Sequence, residues 1–180
     1  MTQRLDYEAA TPAGVKALGA VYAHVARSGL PKRLVNLVYL RVSQINGCAY
    51  CIDMHSRDLL EEGMTVEKLV LVPAWREGDT LFDDTERAAL AWAETVTRVA
   101  ETGVPDAEFA AAAAVFDANQ LADLTIAIGL MNAYNRMAIG FRRPPAAVRR
   151  EPPAPRRVEG AAHGRALEHS LDGGESHGTR

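Results

Sequence analysis

Cys48 and Cys51 are the only cysteines in the chain, and His55 follows four residues after the second. On a helix, side chains three, four and seven positions apart share a face. Cys48, Cys51 and His55 have those separations, so one helical stripe would carry all three. A glycine, Gly47, stands just before them. That predicts a helix start, with both cysteines in its first turn, where unpaired backbone N–H groups and the helix dipole favour a thiolate. Such surroundings lower a cysteine pKa to roughly 3.5–7.5, and the thiolate is the reactive form. His55, one turn beyond Cys51, is in reach as its base or ion-pair partner. Cys48 is close enough to attack an oxidised Cys51 and close a disulfide. The pattern suits a two-electron cycle of thiolate, sulfenic acid, disulfide and reduction by a dithiol.

Three other readings of the trio remain open. The cysteines can be buried apolar fillers. They can be a thiol switch without turnover. They can join His55 in a Cys₂His zinc site, for which Asp53 and Asp58 are the nearest carboxylates, although Asp53 faces away on a helix and no second C-x-x-C exists. His24 stands alone and reads as a partly buried structural residue.

The rest of the chain must position this stripe. It has 180 residues, with 20 basic and 23 acidic side chains, a net charge of −3. That balance gives no case for a nucleic-acid surface. No apolar run reaches membrane-spanning length, and the N-terminus lacks the apolar core of a signal peptide. The default expectation is a cytoplasmic location, where a C-x-x-C is redox-active or metal-binding rather than a staple.

Residues 1–141 read as helix after helix, without strand alternation or an internal repeat. Thr11-Pro12 opens the first helix, with Leu18, Val21, Tyr22 and Val25 as its stripe. A second helix starts near Pro31, carries Leu34, Leu37, Val38 and Ile45, and breaks at Asn46-Gly47. The third runs from Cys48 towards Gly63, and a short one covers 65–71 before Pro73. Asp83-x-x-Glu86 and Asp117-x-x-Gln120 are capping signals for two longer helices. The first has Ala89, Ala93, Val96 and Ala100 as its stripe, and the second runs towards Phe141. An alanine-rich helix around 106–116 separates them. The sum is an all-α domain of about seven helices, a helical bundle.

Composition changes after Phe141. Residues 142–180 hold eight arginines against five acids, and five of the nine prolines. Large apolar residues are too sparse there to offset the entropy of ordering. The expected division is therefore a helical domain over 1–145 and a Pro/Arg-rich disordered tail over 146–180, with a docking arm as the alternative. The spacing of His163, His169 and His177 matches no compact metal motif.

The segment from Leu40 to His55, Leu-Arg-Val-Ser-Gln-Ile-Asn-Gly-Cys-Ala-Tyr-Cys-Ile-Asp-Met-His, resembles the core motif of the alkyl hydroperoxidase D-like branch of the carboxymuconolactone decarboxylase superfamily. Pro73-Ala74-Trp75-Arg76, the run from Glu86 to Glu94, and Asn132-Ala133-Tyr134-Asn135-Arg136 support the likeness, which extends over roughly residues 5–145. The resemblance implies an all-helical homo-oligomer and an antioxidant peroxidase that reduces hydroperoxides. It implies Cys51 as the peroxidatic cysteine, Cys48 as the resolving one and His55 in the proton relay. It implies a dithiol reductant, such as a lipoyl-bearing protein, and no cofactor. Decarboxylases of the superfamily lack the cysteine pair, so decarboxylation is disfavoured.

One position departs from the family pattern. A glutamate usually stands twelve residues before the first cysteine, and here that position is Asn36. An amide orients a partner but takes no proton at neutral pH, so Asn36 would weaken the relay or shift the protein towards redox sensing. On this reading Asn36 lies near the thiol face, and Asn36→Glu raises turnover roughly tenfold, about 1.4 kcal/mol of barrier.

Overall fold

A computed structural model describes residues 2–149. Its elements are α1 (Tyr7–Ala10), α2 (Pro12–Val25), α3 (Lys32–Asn46), α4 (Ala49–Glu61), α5 (Val66–Leu71), two 3₁₀ segments (Val72–Glu77 and Asp79–Leu81), α6 (Asp84–Thr97), α7 (Val99–Thr102), α8 (Asp106–Ala113), α9 (Ala118–Gly140) and α10 (Ala146–Arg149). The seven expected helices are α2, α3, α4, α5, α6, α8 and α9. Three single turns, α1, α7 and α10, are additional. Among the described residues there is no strand.

Helix α3 is the central element. Leu34 to Leu40 are buried without interruption, and Val42 and Ser43 follow. A helix apolar on most sides must be surrounded, and α3 packs against α4, α6 and α9. Each fully buried side chain such as Leu37 or Leu40 contributes about 1.5–3 kcal/mol. Val25 is the buried member of the stripe read on α2, while Val21 and Tyr22 are exposed. His24 is also exposed, and its Nε2 lies 2.7 Å from Asp123 Oδ1, tying α2 to α9.

Helix ends follow local chemistry. Both predicted capping boxes form: Asp83 with Glu86 at the start of α6, and Asp117 with Gln120 at the start of α9. Thr11 is the N-cap of α2, though its hydroxyl makes no cap hydrogen bond. Ala100 falls beyond α6, on α7, because the chain turns at Arg98.

The α3–α4 junction matters most for the thiols. Gly47 has φ +70° and the Cys48 N–H donates to the Ser43 carbonyl at 2.9 Å. This is a Schellman-type stop, which favours a residue without Cβ. It reverses the chain so that the residue ending one helix motif, Cys48, is the N-cap of the next.

Beyond α9 the chain returns towards α4. The Ala147 N–H donates to Asp53 Oδ2 at 3.0 Å, so the first turn past position 145 sits on α4. The rest of the expected disordered tail, from residue 150, lies outside the described residues.

Candidate functional site

Cys48 and Cys51 face each other at the start of α4, reduced, with their sulfurs 2.9 Å apart and hydrogen-bonded. They are 1 % and 2 % exposed, and His55 is 1 % exposed. The thiols belong to the main apolar cluster, among Val38, Val42, Leu124, Ile128 and Met131. The expected stripe is thus real, with one correction. Cys48 is outside the first turn, as the N-cap, and only Cys51 is inside the helix.

That half-step decides where the negative charge sits. A hydrogen bond from the Cys51 thiol lowers the Cys48 pKa to about 7 against the opposing effect of burial, helped by the Cys51 and Tyr50 backbone and the Asn135 side chain. Cys51 is pushed up, by its hydrogen bond to Cys48, by burial and by the Cys48 charge, with Asn135 and Ser43 opposing. Of the two sulfurs, Cys48 is therefore the one whose thiolate is favoured, not Cys51. The hydrogen bond from Cys51 is the largest cause, and the backbone N–H groups at the start of α4 add to it.

Polar residues from α3 and α9 hold the pair from behind. Asn135 is fully buried; its amide donates to Ser43 Oγ at 3.0 Å and its Oδ1 accepts from Asn46 at 2.9 Å. Asn46 also donates to Asn132 Oδ1 at 3.0 Å. These contacts link the bend before Cys48 to the long α9.

His55 is neutral. Burial alone lowers its pKa to about 4, so it is a base rather than the cationic partner the sequence reading allowed. Neither ring nitrogen makes a hydrogen bond among the described residues. Nδ1 lies 3.5 Å from Asp58 Oδ2, one turn along α4. The Tyr39 ring lies 5.2 Å from the imidazole, centroid to centroid. Burial raises the Asp58 pKa, and the charges of Glu61 and Glu62 add to this against Lys32.

Asn36 is buried on α3 and donates to Glu62 Oε1 at 2.8 Å. Lys32 Nζ lies 2.8 Å from the same oxygen. The amide at 36 is thus bonded to a carboxylate supplied from the end of α4, seven residues past His55. None of its hydrogen bonds among the described residues reaches Cys48, Cys51 or His55. The sequence reading considered Asp58 only as a metal ligand and missed Glu62. Both are signalled by spacing, at three and seven residues from His55 on one face. Ser43 and Asn135 had no such signal, because only tertiary packing brings them to the sulfurs.

Two cavities open onto the pair. One, of about 450 Å³, touches Cys48 and is bounded by the α4 start, the α9 end and the segment leading to α10. The other, of about 240 Å³, touches Cys51, His55 and Asp58, and has Tyr22, Met54 and Tyr134 in its wall. Among the described residues no group of three or more His, Cys, Asp and Glu side chains is arranged to hold a metal ion. No helix there is long and apolar enough to cross a membrane.

Comparison with known proteins gives a consistent picture. The family model for the carboxymuconolactone decarboxylase family matches residues 12–95. An uncharacterized Bacillus subtilis protein, YdfG, is 34% identical over 141 residues, covering 78% of this chain and 95% of its own. A 45-residue stretch is 42% identical to the alkyl hydroperoxide reductase AhpD of Corynebacterium aurimucosum, 25% of either chain. A crystal structure from Agrobacterium tumefaciens superposes with a TM-score of 0.77 at 40% identity, covering 80% of this chain and 98% of that one. That protein is of unknown function and is described as a candidate antioxidant defence protein, AhpD.

Proposed function

The chain belongs to the carboxymuconolactone decarboxylase family, in its alkyl hydroperoxidase D-like branch, and we propose that it is a thiol peroxidase of that kind. The observation that carries this reading is the buried sulfur pair at 2.9 Å, beside a neutral histidine, at the end of a cavity.

The cycle starts from the Cys48 thiolate and the Cys51 thiol. The Cys51 proton passes to Cys48 Sγ across their hydrogen bond, leaving the thiolate on Cys51. That sulfur attacks the distal oxygen of a hydroperoxide; the O–O bond breaks, and the leaving alkoxide takes the proton held by Cys48. The products are an alcohol and a Cys51 sulfenic acid. Cys48, again a thiolate, attacks Cys51 Sγ; the S–O bond breaks and hydroxide leaves, protonated to water. A dithiol returns two electrons and is oxidised to its disulfide. His55, with Asp58 at 3.5 Å, lines the cavity on the Cys51 side and is the group there that can relay a proton to the leaving hydroxide.

In this reading the protein self-associates, with closed symmetry, and exposed apolar residues such as Val21, Tyr22 and Phe109 are candidates for burial between copies. The location is cytoplasmic, which fits a reduced C-x-x-C.

The test is steady-state consumption of cumene hydroperoxide with a recycling dithiol. Sustained turnover is expected, and a single stoichiometric oxidation would instead identify a redox sensor. Cys48→Ser is expected to leave a sulfenic acid that a dimedone-type probe traps, and Cys51→Ser very little. Equal labelling of both variants would reverse or dissolve the assignment of roles.

A further inference from the structure

Beyond α9 the chain takes no part in the thiol cycle, yet it returns to the sulfurs. Arg142, at φ +56°, follows the end of α9, and the Arg143 N–H donates back to the Ala138 carbonyl at 2.9 Å. A left-handed turn at a residue with a Cβ is costly, so this reversal is held by its surroundings. Residues 142–148 then run from α9 to α4. Arg142, Pro144, Pro145 and Val148 form one wall of the larger cavity, the one that touches Cys48.

The two ends of this strap are tied down by different means. At the α9 end, the Arg143 guanidinium lies 4.4 Å from the Tyr50 ring centre and donates to Tyr7 Oη at 2.7 Å and Glu8 Oε1 at 2.5 Å. At the α4 end the tie is a carboxylate. The Ala147 N–H donates to Asp53 Oδ2 at 3.0 Å, while Asp53 Oδ1 accepts from Arg57 Nε at 2.9 Å and Nη2 at 2.6 Å. Hydrogen bonds from Arg57, then from the Ala147 and Ala146 backbone, hold the Asp53 carboxyl below its ordinary pKa against burial, so it is an anion at neutral pH. Apolar burial adds little at this end, because Ala146 and Ala147 are exposed and Val148 is 71% exposed. Between the ties, Pro144 and Pro145 have fixed φ and make the segment stiff.

We propose that residues 142–148 are a latched strap over Cys48, with Asp53 as the latch, and that the closed strap admits small thiol reagents to Cys48 while holding back bulky ones.

Asp53 touches neither sulfur in any hydrogen bond among the described residues; it is a positioning residue that acts through the strap. The Arg143 end is the fixed one, held by an aromatic ring and two side-chain acceptors. Release of the Ala147 N–H frees the other end to swing away as a unit, since the two prolines resist bending in between. With the latch closed, Cys48 is 1% exposed and is reached through a cavity of about 450 Å³. Iodoacetamide is small against that space. A rigid polycyclic reagent such as N-(1-pyrenyl)maleimide fills most of it and needs the wall displaced. A disulfide on a folded partner meets the same obstacle, so the strap protects the Cys48 thiolate from mixed disulfides with other proteins.

The experiment compares the two reagents on the reduced full chain, with fragment-ion mass spectrometry assigning each label to Cys48 or Cys51. Asp53→Ala is expected to raise the pyrenylmaleimide rate at Cys48 about tenfold, the scale of losing a hydrogen bond to a charged group, with the iodoacetamide rate near wild type. Arg57→Ala removes the same ion pair from α4 but leaves the latch, and is expected to change neither rate. Ala147→Pro deletes the donating N–H at an exposed position, leaves Asp53 and Arg57 intact, and is expected to give the same gain as Asp53→Ala. An unchanged ratio of the two rates in Ala147→Pro overturns the proposal. So does an equal rise with both reagents, which reports a change in thiolate content, and so does an equal gain in Arg57→Ala, which reports a loosened helix. Alkylation needs no peroxide, so the outcome stands apart from that of the peroxidase reading.

Discussion

Two buried polar clusters lie on opposite sides of α3, and they behave in opposite ways. Around Glu94 every acceptor is filled. Oε1 accepts from Arg41 Nε at 2.8 Å and Trp75 Nε1 at 2.9 Å, and Oε2 from Arg76 at 2.5 Å. Burial pushes the Glu94 pKa up, but hydrogen bonds from Arg76, Trp75 and Arg41 and the Arg41 charge outweigh it, and the carboxyl is held below its ordinary value. This cluster ties α3 and the first 3₁₀ segment to α6. Around His55, buried atoms lack a hydrogen-bond partner among the described residues: Tyr39 Oη, both imidazole nitrogens and Glu62 Oε2. A satisfied cluster locks its charge state and holds elements in place; an unsatisfied one keeps lone pairs and a base available for protons. The resemblance motifs divide the same way. Trp75, Arg76 and Glu94 are structural, while Cys48, Cys51 and His55 face cavities.

Glu94→Ala should show the largest contrast. It leaves Arg41 buried without its anion, and breaking such a pair costs about 3–5 kcal/mol. In a domain of this size that is a fall in melting temperature of roughly 10 °C. Thiol alkylation rates well below the transition should stay at wild-type values. A large change in alkylation with little loss of stability would erase the distinction between the clusters.

The next effect is pH dependence at the other cluster. The folded pKa of His55, about 4, is below the ordinary value of 6.5, so between those values the unfolded chain binds the proton and the folded one does not. Stability is complete above pH 6.5 and falls as pH drops towards 4, by ~3 kcal/mol in all. Glu94, also depressed, loses its contribution as pH falls below the ordinary carboxylate range, so it affects a lower window. Denaturant titrations at stepped pH should show the upper limb flatten in His55→Leu and persist in Glu94→Ala.

A smaller effect is expected for Asn36→Glu, with a sign the structure changes. The amide N–H that donates to Glu62 would be replaced by a second carboxylate beside the first, sharing Lys32. Losing that buried hydrogen bond and adding like charge costs about 1–3 kcal/mol. One carboxylate, Asp58 of α4, already lies 3.5 Å from His55, so unchanged or reduced turnover is expected in place of the tenfold gain read from the sequence. A steady-state gain of that size would restore position 36 to the relay.

Gly47→Ala is the mildest. Space is open around a Cβ there, but φ is +70°, a conformation costing an L-residue about 1–2 kcal/mol. The readout that matters is Cys48, whose alkylation rate should change if the turn relaxes, while the Glu94 cluster stays unaffected.

Much of this protein is legible in local sequence because its elements are set by local rules. The capping boxes at Asp83 and Asp117, the stop at Gly47 and the helical periods of α3 and α6 depend on residues within a turn or two of each other. The stripe of Cys48, Cys51 and His55 was legible for the same reason, as was the family. The stripe on α2 was less so: periodicity marks a face as apolar but not what lies against it, and Val21 and Tyr22 remain exposed.

Contacts between distant segments settled what spacing left open. Asn135 and Ser43 reach the sulfurs from α9 and α3, and Arg143 closes the wall beside Tyr50 from beyond α9. Whether Asn36 belongs to a relay depended on which α4 side chain it meets, and that proved to be Glu62. The charge preference between the two cysteines came first from the hydrogen bond between their sulfurs and then from the backbone at the helix start. Helical period places side chains on a face; it does not say which of two sulfurs receives the backbone N–H groups, or which is left against a neutral imidazole. Those are consequences of how far the chain turns at Gly47 and of burial, and both emerge only when α3, α4 and α9 are packed together.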